Sequence, residues 1–333
     1  MKIALGGKAL NSDTTLLRIK NHENLQLHQY NKYKWKGSEA MDWTTGIQRA
    51  IDYIEDNLTE KLDYEEIAKR AFVSNFHFQR IFGILCGYTL GEYIRNRHLT
   101  LAGSDLASSD VKVIDTALKF GYDSPESFGR AFTKFHGIAP SQARTMGANL
   151  KSFSRLSVKL ILEGGNIMDY RIEKKDTFKV IVRKERFSSD NEVNKKEIPE
   201  FWDKCRKDGT VHKLCDYMNP KGIFGDAIVG MCFEGSATDK NFVYAIGAAY
   251  GNGNVSADLT IEEIPALTWA IFKCTGAMPN AIQELWHKIY SDFFPTSEYQ
   301  PGGGLDFELY PGGDIHSPDY ESEIWISVVK RSI

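Results

Sequence analysis

The run Ser74-Asn75-Phe76-His77-Phe78-Gln79-Arg80-Ile81-Phe82 returns fifty residues later as Ser124-Pro125-Glu126-Ser127-Phe128-Gly129-Arg130-Ala131-Phe132. Phe72 ahead of the first copy matches Tyr122, and Gly87 behind it matches Gly137. The arginines, Arg80 and Arg130, are the members with the most chemistry. A guanidinium presents five donors in a fixed plane, suited to carboxylates, phosphates and base edges. At helical spacing Phe78, Ile81, Phe82 and Leu85 face one way, and Asn75, Phe76, Gln79 and Arg80 face the other. For each arginine the plainer use is a surface or intradomain salt bridge. His77 and His136 read as packed or solvated side chains and not as metal ligands. The chain offers no Ser–His–Asp grouping and no metal-ligand cluster. Gly302-Gly303-Gly304 precedes a strand pattern, so it reads as a turn and not as a phosphate loop. No cofactor is implied.

The elements that would hold these side chains are short helices. Ser74 and Ser124 suit the N-cap, where a hydroxyl accepts an orphan backbone N–H. Pro125 suits the first helical position, and Gly87 and Gly137 suit a left-handed stop. Another short helix precedes each copy, about Tyr64–Ala71 and Val111–Phe120. Ile47, Ile51, Ile54 and Leu58 predict an amphipathic helix over about 44–58. Thr89 with Glu92 forms a capping box that opens a connecting helix running to about Leu106. Helix, tight turn and capped second helix is the helix-turn-helix arrangement. Two such units joined by a stiff helix can reach successive major-groove segments, roughly 34 Å apart.

With these features, residues about 47–147 resemble the AraC/XylS-type DNA-binding domain. The resemblance rests on Ile67-Ala68, Ser74, Phe78-Gln79-Arg80-Ile81-Phe82, Gly87, Tyr93-Ile94-Arg95, Arg97, Leu99, Ile114, Ala117, Phe120-Gly121-Tyr122, Ser124, Phe128, Arg130, Phe132 and Pro140. It implies that Asn75, Phe76, Gln79 and Arg80 read bases, Arg80 guanine and Gln79 adenine, each discriminating by about 1–3 kcal/mol. In the second helix the matching positions are Glu126, Ser127, Gly129 and Arg130. Glu126 either accepts from a cytosine amine or repels phosphate, and Gly129 offers no side chain, so the first helix is expected to dominate recognition.

After Leu150 the texture changes to short apolar alternations, at 178–182, 223–233, 242–250, 267–272, 305–310 and 324–329, with helical stretches at 198–206 and 281–293. The expected class is multidomain: an all-α double helix-turn-helix domain, then an α+β domain of two β-α-β-β repeats. The expected limits are an extension over 1–40, a DNA-binding domain over 41–147, a linker over 148–167 and a second domain over 168–333. Within the extension, Lys32, Tyr33, Lys34, Trp35 and Lys36 read as a strand, a basic arm or a loose extension.

This second half resembles the GyrI-like effector-binding domain, through Glu263-Ile264-Pro265, Trp269-Ala270-Ile271-Phe272, Leu285-Trp286, Phe294-Pro295, Phe307-Glu308-Leu309-Tyr310-Pro311 and Glu323-Ile324-Trp325-Ile326. Alternation puts Leu305, Phe307 and Leu309 on one strand face, expected to meet the helices, and Asp306, Glu308 and Tyr310 on the other. The resemblance makes that second face a ligand cleft, in which a carboxylate among aromatics binds a hydrophobic or cationic effector. Trp325, Trp269 and Trp202 are further candidates, with ordinary core packing as the alternative for each aromatic. For Glu308 the alternative is a surface carboxylate at a strand end.

The formal net charge is −3 over 333 residues. Ile67 to Leu150 nevertheless carries ten basic against six acidic residues, a local field suited to phosphates. Five cysteines with no CxxC pair suit reduced thiols. No apolar run approaches the roughly 18 residues needed to span a bilayer, and no secretory signal is evident, so a cytoplasmic protein without membrane contact is expected. The partners implied are double-stranded DNA and a small-molecule effector, with RNA polymerase a further candidate. A non-enzymatic, effector-responsive transcription regulator fits these features best; a hydrolase and a protein-interaction module are the competing readings.

Overall fold

The computed structural model describes residues 43–71, 73, 75–158, 167–188, 193–233 and 241–331. The extension over 1–40 and the Ser74 cap lie outside the described residues. The helical half comprises α1 (Trp43–Asp56), α2 (Tyr64–Arg70), α3 (Asn75–Cys86), α4 (Leu90–Ser108), α5 (Val113–Lys119) and α6 (Pro125–His136). Its boundaries follow local chemistry. Asp63 caps α2 by accepting the Glu65 amide at 2.9 Å. Thr89 and Glu92 cap α4 reciprocally, each side chain accepting from the other's amide at 3.0 Å. Ser124 accepts the Ser127 amide, and Gly87 and Gly137 take the left-handed conformation that stops α3 and α6.

The helix α4 belongs to two cores. Its first half, Leu90, Tyr93 and Ile94, packs with Ile47, Ile51, Ile54, Ile67, Phe78 and Phe82. Its second half, Leu99, Ala102 and Leu106, packs with Ala117, Phe120, Phe128 and Phe132. The fifty-residue repeat is thus two helix-turn-helix units threaded on one helix.

Residues 148–158, expected as linker, are strapped along these helices. The Phe153 amide donates to Thr100 Oγ1 at 2.9 Å, the Leu156 amide to Tyr93 Oη at 3.1 Å and the Val158 amide to Gln48 Oε1 at 2.7 Å. His136 is buried where the strap meets α4. Its Nε2 lies 2.9 Å from the Leu99 carbonyl, and its Nδ1 accepts the Lys151 amide at 3.1 Å. That pairing selects the neutral ring, and burial holds the imidazole below its ordinary value. A depressed folded pKa means the native state binds protons less readily than the unfolded chain. The contribution of His136 to stability is therefore full above about pH 6.5 and is lost as pH falls through the folded value. In an NMR titration the His136 ring protons should move only below pH 6.5; a midpoint at or above that value would remove the argument. A Cβ at Gly103 would lie 2.8 Å from His136 Cε1, so Gly103→Val should cost about 1–3 kcal/mol by overpacking, measurable by thermal melting.

The second half holds β1 (Tyr170–Lys175), β2 (Phe178–Ser188), α7 (Val193–Lys207), α8 (Thr210–Cys215), β3 (Ile228–Phe233), β4 (Asn241–Ala249), β5 (Thr260–Ile264), β6 (Leu267–Thr275), α9 (Asn280–Lys288), β7 (Tyr299–Tyr310) and β8 (Glu321–Lys330). A π-helical turn, Ile289–Phe293, extends α9. The strands form one antiparallel sheet in the order β1-β6-β8-β7-β3-β4-β2-β5. Each half is β-β-α-β-β, one strand more than the expected β-α-β-β. The added strands, β1 and β5, are short, polar and largely exposed, so no apolar alternation betrays them. They are also exchanged: β1 pairs with β6 of the second half, and β5 pairs with β2 of the first. Gly302-Gly303-Gly304 lies within β7, at a break in register between Pro301 and Asp306, and not at a turn before the strand.

The orientation expected for β7 is reversed. Leu305, Phe307 and Leu309 pack with Trp269, Ile271, Trp325, Val229, Met231 and the loop residue Phe224, a cluster to which no described helix contributes. The helices α7 and α9 lie on the other face, the one that carries Asp306, Glu308 and Tyr310. Alternation separated the two faces correctly, but both faces of this sheet are covered, so apolarity alone does not say which one meets helices. Among the described residues no helix is long and apolar enough to cross a membrane.

Candidate effector cleft and nucleic-acid interface

Asp306 and Glu308 stand two residues apart on β7 and therefore share a face. Across the ladder Glu308 is opposite Gly230 of β3. A Cβ at Gly230 would collide with the Tyr244 hydroxyl and approach Trp202 to 3.4 Å, so glycine there leaves the space in which those aromatics meet. Each helix contributes one indole. Trp286 of α9 donates Nε1–H to Glu308 Oε1 at 2.7 Å, and Trp202 of α7 donates to Tyr244 Oη at 3.0 Å. Tyr310 Oη donates to Glu308 Oε2 at 2.9 Å and meets the Trp202 ring edge-on at 5.6 Å. Burial, followed by the negative charge of Glu308, pushes the Tyr310 and Tyr244 hydroxyls well above their ordinary range, so both remain donors at neutral pH.

The cation in this arrangement comes from the helical half. Arg80 of α3 places Nη1 at 2.8 Å from Asp306 Oδ1 and Nη2 at 3.3 Å from Glu308 Oε1. Its guanidinium carbon sits 4.1 Å from the centroid of the Trp286 ring. His77 Nε2 lies 3.2 Å from the second Asp306 oxygen. Beside them Phe76 stacks on Phe242 of β4, with centroids 3.8 Å apart and planes 25° apart. Asp306 is 4 % exposed and Arg80 21 %. Burial by itself would raise the Asp306 carboxyl, but Arg80 and His77 outweigh it and hold the group below its usual range. Burial would likewise lower Arg80, but the two carboxylates reverse that and keep it charged.

The four expected reading residues of the first unit thus lie on one face of α3, but that face is turned against the sheet and not toward solvent. Asn75 and Phe76 are buried, Gln79 donates back to Asn75 Oδ1 at 2.8 Å, and Arg80 is ion-paired across the domains. On α6, Glu126 and Arg130 are exposed and Ser127 is half-buried by the cap of its own helix. Of the expected effector residues, Glu308, Tyr310 and Trp202 come together. Trp269 and Trp325 do not: they pack near each other and Phe307 on the opposite face, with ring centroids 6.0 and 4.8 Å apart for Trp269–Trp325 and Trp269–Phe307. The same period of two that placed Glu308 excludes Trp325, because Trp325 pairs directly with Phe307. Asp306, Trp286 and Tyr244 were not among the expected residues. Asp306 was legible, lying two residues from Glu308 on one strand, and Trp286 occupies in the second repeat the place that Trp202 holds in the first. Among the described residues no group of three or more His, Cys, Asp or Glu side chains is placed to hold a metal ion.

Two family descriptions match the chain: a helix-turn-helix domain over residues 67–146, and an integron-associated effector binding protein (Cass2) over residues 171–328. The HTH-type transcriptional activator AarP of Providencia stuartii is 40 % identical over 98 residues, covering 29 % of this chain and 73 % of AarP. The multiple antibiotic resistance protein MarA of Escherichia coli K12 is 32 % identical over 109 residues, covering 33 % of this chain and 84 % of MarA. Among solved structures, SAV2435 bound to tetraphenylphosphonium is 24 % identical, covers 49 % of this chain and 94 % of its own, and superposes with a TM-score of 0.42.

Proposed function

The chain belongs to the AraC-type helix-turn-helix transcription regulators and carries a Cass2/GyrI-like effector-binding domain, and on that footing we propose that it controls promoter binding in response to a small hydrophobic or cationic effector held at Glu308. The observation that carries this reading is the Glu308 carboxylate, fixed by Trp286 and Tyr310, beside the Trp286 ring face on which a guanidinium already lies. A cation there gains charge attraction and ring-face contact in a half-buried site, where both exceed their value in water. Trp202 and Tyr244 would shape the rest of the cleft. Duplex DNA would be read by Asn75, Phe76, Gln79 and Arg80 of α3 and by Glu126, Ser127 and Arg130 of α6. The relatives that match the helical half are regulators, which supports sensing over turnover.

The test is a tryptophan-fluorescence titration with a panel of lipophilic cations and neutral hydrophobes. Glu308→Gln should lose about 1.5–3 kcal/mol toward cations and little toward neutral compounds. Equal cation binding by Glu308→Gln and the wild type would end the assignment. On the DNA side, Arg130→Ala should weaken duplex binding by about 1–3 kcal/mol and lower its salt dependence if the contact is to phosphate, as read by fluorescence anisotropy at two salt concentrations. Unchanged affinity would take α6 out of the interface.

A further inference from the structure

We propose that Arg80 is the resident cation of the effector cleft, and that a free planar cation bearing N–H donors displaces it and so releases α3 to DNA. The inference rests on the effector reading of Glu308 and adds both the class of ligand and the way it is coupled to DNA. Three observations carry it. The Arg80 guanidinium spends one nitrogen on each of two carboxylates, Asp306 and Glu308. It lies over the Trp286 ring, whose own N–H is spent on Glu308. The helix that delivers it buries Asn75 and Phe76, two of its three other expected reading residues, and stacks Phe76 on the same sheet.

A flat cation between two carboxylates and above an indole defines a ligand chemistry. Guanidinium and amidinium groups attached to an arene meet it, because they donate to both carboxylates in one plane while the arene lies against aromatic walls. A quaternary ammonium of similar size carries the charge but has no N–H to offer. The coupling follows from occupancy. The face of α3 that would lie in the major groove is the face that now lies on the sheet, and one guanidinium cannot serve a guanine edge and Glu308 together. Ligand and DNA therefore favour the same undocked arrangement, and each must strengthen the other by one common factor. In the docked arrangement only α6 offers its exposed face, so DNA engagement through the second unit persists while the first is withheld.

The experiment uses the full chain, benzamidine as the probe, benzyltrimethylammonium as the comparison cation, and a duplex selected from a random pool by the wild type with benzamidine present. Arg80→Ala should bind benzamidine at least tenfold more tightly than the wild type, because the internal competitor is gone, and both proteins should bind benzyltrimethylammonium less tightly than benzamidine. The wild type needs no variant for the second arm: saturating benzamidine should tighten duplex binding at least tenfold, and duplex should tighten benzamidine binding by the same factor. Equal benzamidine affinity in the wild type and Arg80→Ala overturns the displacement, as does benzamidine that binds yet leaves duplex affinity unchanged or weaker. If the panel's lipophilic cations bind with Glu308 dependence and benzamidine does not, the ligand class fails and the effector reading stands. If neither wild type nor Arg80→Ala binds any cation, the effector reading itself fails and takes this inference with it.

Discussion

Glu55→Ala should destabilise the helical half by about 3 kcal/mol, the lower end of the cost of breaking a buried ion pair, since both partners are largely but not fully covered. Glu55 receives Arg97 through Nε and Nη2 at 2.9 and 2.8 Å and also accepts the Tyr93 hydroxyl at 2.6 Å. Arg97 donates in addition to the Phe153 carbonyl at 2.6 Å, and Tyr93 accepts the Leu156 amide. One carboxylate therefore joins α1, α4 and the strap. Burial alone would raise its pKa, but Arg97 and Tyr93 outweigh that and hold it lower. Its stabilisation is present above the unfolded carboxylate value of about 4.3 and is lost as pH falls through the folded one. Alanine leaves a half-buried guanidinium without its carboxylate and a buried phenol without its acceptor. Chemical denaturation monitored by far-UV circular dichroism should show the midpoint of the helical half moving down, and the loss should shrink in the double variant Glu55→Leu/Arg97→Met, which removes both charges. A loss below about 1 kcal/mol, the ordinary value of an exposed pair, would mean that solvent reaches this site.

The helical half was largely legible because its information is local. Ser124, Pro125, Thr89, Glu92, Gly87 and Gly137 mark helix ends by hydrogen-bonding and backbone rules that operate within a few residues, and each of these ends stands where those rules put it. The sheet was legible wherever a strand carries a covered face. β1 and β5 were not, since an exposed edge strand obtains its hydrogen bonds from a neighbour distant in sequence and needs no apolar alternation of its own. The site was half legible. The period of two gave Glu308 and Tyr310 one face, yet Trp325 was grouped with them by alternation along its own strand, which leaves its register against β7 open, and Trp269 through aromatic character. The seat of α3 on the sheet was the least legible feature. Arg80 and Asp306 are far apart in the chain, and an arginine suited to a guanine edge is equally suited to a carboxylate. Local rules identify which face of α3 carries polar and aromatic groups; only the tertiary structure says what that face meets.

Asp306→Ala should release α3 and raise duplex affinity in the absence of any added cation. Asp306 is the best-buried charged group in the clamp that Arg80, His77, Asp306 and Glu308 form, and it accepts from Arg80 while facing His77 with its other oxygen. Its removal leaves Arg80 with Glu308 alone, at 3.3 Å, in a setting that still excludes water from most of the guanidinium. Truncating one partner of such a pair costs about 3–5 kcal/mol. That cost falls on the docked arrangement, because in the undocked one both groups are hydrated and indifferent to each other. The stacked pair Phe76–Phe242 remains and opposes the release, so the gain in duplex affinity should approach but not exceed the factor of roughly 10² to 4 × 10³ to which such an energy corresponds. It should also stop growing once the undocked arrangement predominates. Benzamidine should then add less to duplex affinity than it adds for the wild type, since part of the work of undocking has been done. Anisotropy titrations of both proteins, with and without benzamidine, measure all four quantities. A variant that melts earlier and binds duplex no better would make the Arg80 clamp a structural joint between the domains, with no bearing on which face of α3 is available to DNA.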